Sequence, residues 1–241
     1  MSTLSLLSHV VCLVLSTIGF SVCALPPEEV DARQLSQTNR IRHRLMVFPI
    51  IQIFLYTAEI SLILSSIFTP PSFTSTVSQI INSAFVYENG DPAHLHYPPS
   101  RITGSALIFI GTFICLQSVN VLGKFVTPQS EMALQKDHKL ITSFPYSIVR
   151  HPGYLSVLLI HIGCVLVDFT RGSWVRECGV LLMRTGVGAR LVWAYGMAVS
   201  LLPLMVLLKT REEDEMMKRR FGKEWEEWAD KVKYWVIPGV F

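Results

Sequence analysis

Charge is scarce in this chain. Asp, Glu, Lys and Arg make up only 16% of its 241 residues, where soluble domains carry about 25%. Mean hydropathy is +0.41, and that balance argues against a soluble globular domain. The five cysteines, Cys12, Cys23, Cys115, Cys164 and Cys178, form no C-x-x-C pair. Four of them lie within apolar runs, which argues against structural zinc or a disulfide framework. No metal site is expected. No G-x-G-x-x-G follows a strand-like segment, so a Rossmann domain is unsupported. Internal repeats and low-complexity tracts are also missing. A net charge of +3 gives no sign of nucleic acid as a partner, whereas a modestly basic face suits anionic lipid head groups.

Long apolar runs are what the sequence has instead. A spanning helix needs roughly 20 mostly apolar residues, because the hydrocarbon core is about 30 Å thick. Five stretches answer to this: Ser5–Leu25, Met46–Phe68, Ile102–Phe125, Gly153–Phe169 and Ala189–Leu208. The second is interrupted only by Pro49, Gln52 and Glu59, and the fourth is short. Val77–Val86 is too short to span and reads as a re-entrant or interfacial piece. The prediction is an all-α, polytopic membrane protein with about five transmembrane helices and a C-terminal amphipathic helix.

The distribution of Lys and Arg orients the spans, since cytoplasmic loops are enriched in both. Segment 26–45 holds Arg33, Arg40, Arg42 and Arg44, and Lys136, Lys139 and Arg150 precede the fourth span. Eight basic residues follow from Lys209 onward, and segment 69–100 has none. Five spans put these basic regions on one side, the cytosol. Val22-Cys23-Ala24 resembles a signal-peptide cleavage site. Yet no Lys or Arg precedes the first run, and its removal would invert the charge pattern. The first run is therefore read as a retained span. Segment 170–188, with Arg171, Arg176 and Arg184, departs from the rule.

Polar chemistry concentrates in two regions that this orientation places on one face, Lys124–Tyr154 and Lys209–Phe241. Pro152 marks a helix start, where proline is tolerated. The uncapped N–H groups and positive dipole of such a start can receive an anion. The plainer alternative makes Arg150 and His151 head-group anchors. Met217, Phe221, Trp225, Trp228 and Val232 recur at helical spacing. They read as an interfacial helix with tryptophans at head-group depth. Gly222 is expected to divide that helix. Glu212, Glu213, Asp214 and Glu215 form an acidic cluster directly after the last span, for which solvated helix charge is the ordinary explanation. Glu59, an ionisable residue inside a span, is a functional suspect by default. It can equally be a neutral group bonded to a neighbouring helix, and no role is assigned to it.

Taken in order, the motifs resemble those of the isoprenylcysteine carboxyl methyltransferase family. They are His138, Leu140, Ile141 and Thr142; Pro145 and Tyr146; Arg150, His151, Pro152 and Tyr154; then Glu213, Asp214, Phe221, Gly222, Trp225, Trp228 and Pro238. The resemblance covers about residues 100–241. It divides the chain into N-terminal membrane helices and loops (1–100) and a methyltransferase core with the tail helix (101–241). It implies a multi-pass enzyme of the endoplasmic reticulum with its site facing the cytosol. Such an enzyme uses S-adenosylmethionine to esterify the C-terminal carboxylate of a prenylated cysteine, the product of C-a-a-X processing.

The cofactor site implied by the resemblance comprises His138, Lys139, Leu140, Ile141, Tyr146, His151, Pro152, Gly153 and Tyr154. The substrate side would be Lys209 and Glu213. Lys209 or Arg211 would act as the catalytic cation, and Glu213 would orient it or meet the cofactor. Tyr146 and Tyr154 could favour the sulfonium by cation–π attraction. Three positions depart from the family pattern. Phe144 and Ser156 stand where glycine is usual, and would narrow the cofactor cleft. Lys209 stands where arginine is usual, giving a point charge in place of a planar two-point clamp. The competing readings are a phospholipid N-methyltransferase, an NADPH-dependent sterol reductase (against which Pro152 argues) and a non-catalytic membrane protein.

Overall fold

In lipid, an apolar run can satisfy its backbone internally only as a helix or in a closed barrel. In the computed structural model, which describes residues 3–24, 47–68, 76–123, 139–182 and 186–240, the described runs are helical and no strand occurs among them. The order is α1 (Thr3–Ala24), α2 (Val47–Phe68), α3 (Thr76–Phe85), a 3-10 turn at Pro92–His94 and α4 (Pro99–Leu122). Then come α5 (Pro152–Asp168), α6 (Trp174–Glu177), a 3-10 turn at Val180–Leu182, α7 (Val187–Phe221) and α8 (Lys223–Lys231). The segments Val47–Phe68, Pro99–Leu122 and Gly188–Phe221 are long and apolar enough to cross a membrane. Leu6–Ser21 and Pro152–Asp168 are shorter apolar helices. The architecture is that of a polytopic all-α membrane protein, and the short piece expected at 77–86 is α3.

Small residues set the central contact. Gly104 and Gly111 on α4 lie seven apart, as do Gly163 and Ser156 on α5, so the antiparallel pair meets twice. A Cβ on Gly104 would stand 2.8 Å from the Gly163 carbonyl oxygen, and one on Gly111 would stand 2.9 Å from that of Ser156. Helices in lipid gain most from such close backbone approach, because burial of apolar surface drives little there. Ser156 therefore belongs to the α4–α5 seam. Its hydroxyl donates to the Gly153 carbonyl at 2.6 Å. We expect Gly163→Ala to lose about 1–3 kcal/mol of stability through overpacking. Its methyl would meet the Gly104 carbonyl oxygen and Ile108 Cγ1 at 2.6 Å. Thermal unfolding in detergent checks this, with Gly188→Ala, which meets nothing within 4 Å, as the control.

At the end of α5 away from Pro152, two loops are joined by backbone bonds. Tyr87 donates to Cys178 (3.0 Å), Asp91 to Glu177 (2.8 Å) and His96 to Gly172 (3.2 Å). Buried ions lock this end. Arg101 donates to both oxygens of Glu59, at 2.6 and 3.0 Å, and His9 Nε2 lies 2.5 Å from Glu59 Oε1. The Trp174 backbone N–H also donates to Glu59, at 3.1 Å. Glu59 thus receives a structural assignment: it is tied by side chain to α1 and α4 and by backbone to α6. Beside it, Asp168 accepts from Gln52 (3.1 Å) and from Tyr195 (2.9 Å), which joins α2, α5 and α7.

Candidate active site at the start of α5

α5 starts at Pro152, with His151 as its uncapped N-cap residue. The preceding segment, 139–151, is irregular and packs beneath the tail. α7 runs for 35 residues without a break and so carries the acidic cluster on the same rod as the last span. Gly222, at φ +54°, ends it. That left-handed turn suits glycine, and it swings α8 back across segment 139–146. Trp225, Trp228, Ala229 and Val232 bury themselves there with Leu140, flanked by Tyr146, Met217 and Phe221. The stripe expected to form an interfacial helix thus faces protein. Both are only 8% exposed and pack on protein, because the turn at Gly222 brings the stripe onto an apolar partner.

Helical spacing then sorts the acidic cluster. Thr210, Asp214, Met217 and Phe221 fall on one face at i, i+4, i+7 and i+11. Asp214 is buried there. It accepts from Arg150 Nη1 at 2.9 Å and stands 2.8 Å from His151 Nε2. Glu213, next along the helix, is more open, with its side chain 21% exposed. Its Oε2 lies 3.6 Å from His151 Nδ1, and its charge also faces Tyr154. The His151 and Tyr154 rings stack, with centroids 5.4 Å apart. Burial, reinforced by the nearby charge of Glu213, pushes the Tyr146 phenol well above its ordinary pKa, so it stays a neutral donor at pH 7.

Of the residues assigned from sequence, Tyr146, His151, Tyr154 and Glu213 come together here. Pro152 and Gly153 form the adjoining helix start. Gly153 stands in open space, since a Cβ on it would meet nothing within 4 Å. Leu140 is set into the cluster beneath α8 and lines a cleft of about 380 Å³ with Thr142, Ser147 and Trp228. Ile141 is half-buried and Lys139 exposed, while His138 lies outside the described residues. Phe144, 45% exposed, is not packed into the protein. Lys209 and Arg211 are both exposed. Lys209 lies one turn before Glu213 on the same side, whereas Arg211 is about 200° away from either around the helix. Arg150 and Asp214 carry the site's contacts yet were assigned no site role from the sequence. The available signal was the Trp stripe itself, which reaches Asp214 and Thr210 when extended backwards at helical spacing.

The fold is that of an all-α, polytopic membrane protein, and this cluster is its candidate site. Residues 99–185 match the family model described as phospholipid methyltransferase. The chain is similar to two rice proteins, from Oryza sativa subsp. indica and subsp. japonica. Each is described as "Probable protein-S-isoprenylcysteine O-methyltransferase". Identity to each is 26% over 129 residues, which is 54% of this chain and 56% of the relative. The chain thus spans little more than half the length of the curated relatives it matches. These matches support the family resemblance carried by the motifs. No solved structure matches the chain.

Proposed function

We propose that this protein is an S-adenosylmethionine-dependent methyltransferase that esterifies the C-terminal carboxylate of prenylated cysteine. We place it in the endoplasmic reticulum membrane, with the start of α5 facing the cytosol. One observation carries the choice of acceptor. The exposed cation Lys209 lies one helical turn before Glu213 on the same side of α7, and Glu213 itself stands against His151. A cation there suits a carboxylate acceptor and opposes an amine.

The residues present fit S-adenosylmethionine. Gly153 leaves space at the helix start, where its backbone N–H can donate to the cofactor's carboxylate. Glu213 is an acceptor for its ammonium or ribose hydroxyls, and Tyr146 and Tyr154 are neutral aromatic groups that favour a sulfonium. When bound, the cofactor supplies an electrophilic methyl group, which passes to the carboxylate oxygen as the bonding pair stays on sulfur. An acceptor carboxylate is already ionised at pH 7, so the protein needs no strong base. The work of these residues is alignment and exclusion of water. Lys209 holds the acceptor loosely, as a single point charge. Glu213 and Tyr154 fix the geometry on the cofactor side.

The family-model match supports a second reading, a phospholipid N-methyltransferase. Purified protein in lipid, given methyl-labelled S-adenosylmethionine and N-acetyl-S-farnesylcysteine, is expected to form a base-labile methyl ester. Label in phosphatidylethanolamine instead would establish the second reading. Label in neither, with no cofactor binding, would end both.

A further inference from the structure

Arg150 stands apart from the groups that would meet cofactor or acceptor, yet its side chain is fully engaged. Nε donates to the Val232 carbonyl at 2.7 Å, Nη2 to that of Ala229 at 3.0 Å, and Nη1 to Asp214. The guanidinium lies 5.4 Å from the Trp225 ring centroid. The backbone N–H groups of Arg150 and His151 donate to the carbonyls of Tyr234 and Trp235, at 2.9 and 2.8 Å. Residues 150–151 thus hold the whole stretch from Ala229 to Trp235 against the start of α5.

Asp214 links this anchor to the site. One oxygen takes Arg150 and the other takes His151. An ionised carboxylate only accepts, so the His151 proton at that edge is fixed on Nε2. The ring is then held at its edge by Asp214 and on its face by Tyr154, with Nδ1 turned to Glu213. Guanidinium, carboxylate and imidazole are hydrogen-bonded in series, and the partly exposed Glu213 carboxylate stands at ion-pair distance from the far ring nitrogen. The buried part of this chain polarises and constrains itself, and the ring passes its orientation on to Glu213.

We propose that Arg150 and Asp214 are positioning residues. Acting through His151, they set the Glu213 carboxylate, so that docking of the Ala229–Trp235 stretch and orientation of Glu213 are one event. This rests on the reading of Glu213 as a site residue. A purely structural Arg150 would stabilise the tail with no regard to Glu213.

A double-mutant cycle separates the two. Arg150→Lys keeps the charge but reaches only one of three acceptors. It should slow methyl transfer about tenfold when Glu213 is present and less than about twofold in Glu213→Gln. An equal loss in both backgrounds would overturn the proposal. Nitrogen NMR of labelled histidine in lipid nanodiscs gives an arm independent of activity. Asp214→Asn should take the proton off His151 Nε2, because Arg150 holds the amide oxygen and leaves the amide NH2 to donate to that nitrogen. Glu213→Gln, a partly exposed change that leaves the fold intact, should shift the Nδ1 resonance. His151 signals unmoved by the Glu213 change would equally refute it, even if the other variants fail to fold. Should the wild type esterify no acceptor, the functional reading fails and the resonances alone decide the coupling.

Discussion

On the proposed function, Glu213→Gln is expected to leave a folded protein whose methyl transfer falls by about 10²–10³-fold, the usual cost of losing one preorganised group at a reacting centre. The side chain is partly open to solvent, so the change leaves no buried group unpaired, and the thermal midpoint should hold. What the variant loses is the negative charge between His151 Nδ1 and the Lys209 side of the helix. Glu213→Asp keeps the charge but withdraws it by one methylene, and about 10²-fold should be lost to misplacement alone. Turnover with labelled cofactor, alongside cofactor binding by calorimetry, checks both. Turnover within threefold of wild type in the Gln variant would remove Glu213 from the site.

Arg101→Ala is expected to cost about 3–5 kcal/mol, the penalty for leaving a buried charge without its partner. Glu59 and Arg101 are both sealed from solvent. Removing the guanidinium also strips donors from the carbonyls of Val167 (2.9 Å), Gly172 (2.8 Å) and His96 (3.1 Å). Five elements or loops lose their shared anchor together. The double replacement Arg101→Met with Glu59→Leu should recover much of the loss, since no charge is then left unpaired. Thermal unfolding and yield in detergent measure both effects. The cluster lies about 24 Å from the start of α5, by the 1.5 Å rise over its length. Folded double mutant should therefore bind cofactor normally. A single mutant within 1 kcal/mol of wild type would show the cluster to be unimportant for folding.

The two clusters differ in how far sequence could reach them. Glu59 stands out in any hydropathy reading as a carboxylate in an apolar run. The partners that make it structural, His9 and Arg101, lie 50 and 42 residues away, and no local pattern links them. Ser156 shows the same limit from the other side. Its departure from the family pattern is visible in sequence, but its place opposite Gly111 depends on the register of two helices. The break at Gly222 and the start at Pro152 were legible because proline and glycine act through their own backbone dihedrals.

The sequence by itself determined the class of molecule: apolar runs of spanning length, the helix punctuation, and an ordered set of motifs on one stretch. These are local properties, fixed by the lipid solvent and by each residue's own chemistry. Helical spacing from the Trp stripe points to Asp214, but only packing shows that Arg150 and His151 are what it meets. Glu213 and Asp214 are adjacent and chemically alike, and only the helix that carries them turns one toward Arg150 and the other toward Tyr154. Tertiary packing likewise set the Trp stripe against protein, because the turn at Gly222 returns α8 to segment 139–146. Contacts between residues 60 or more positions apart come from packing, and composition and spacing do not encode them.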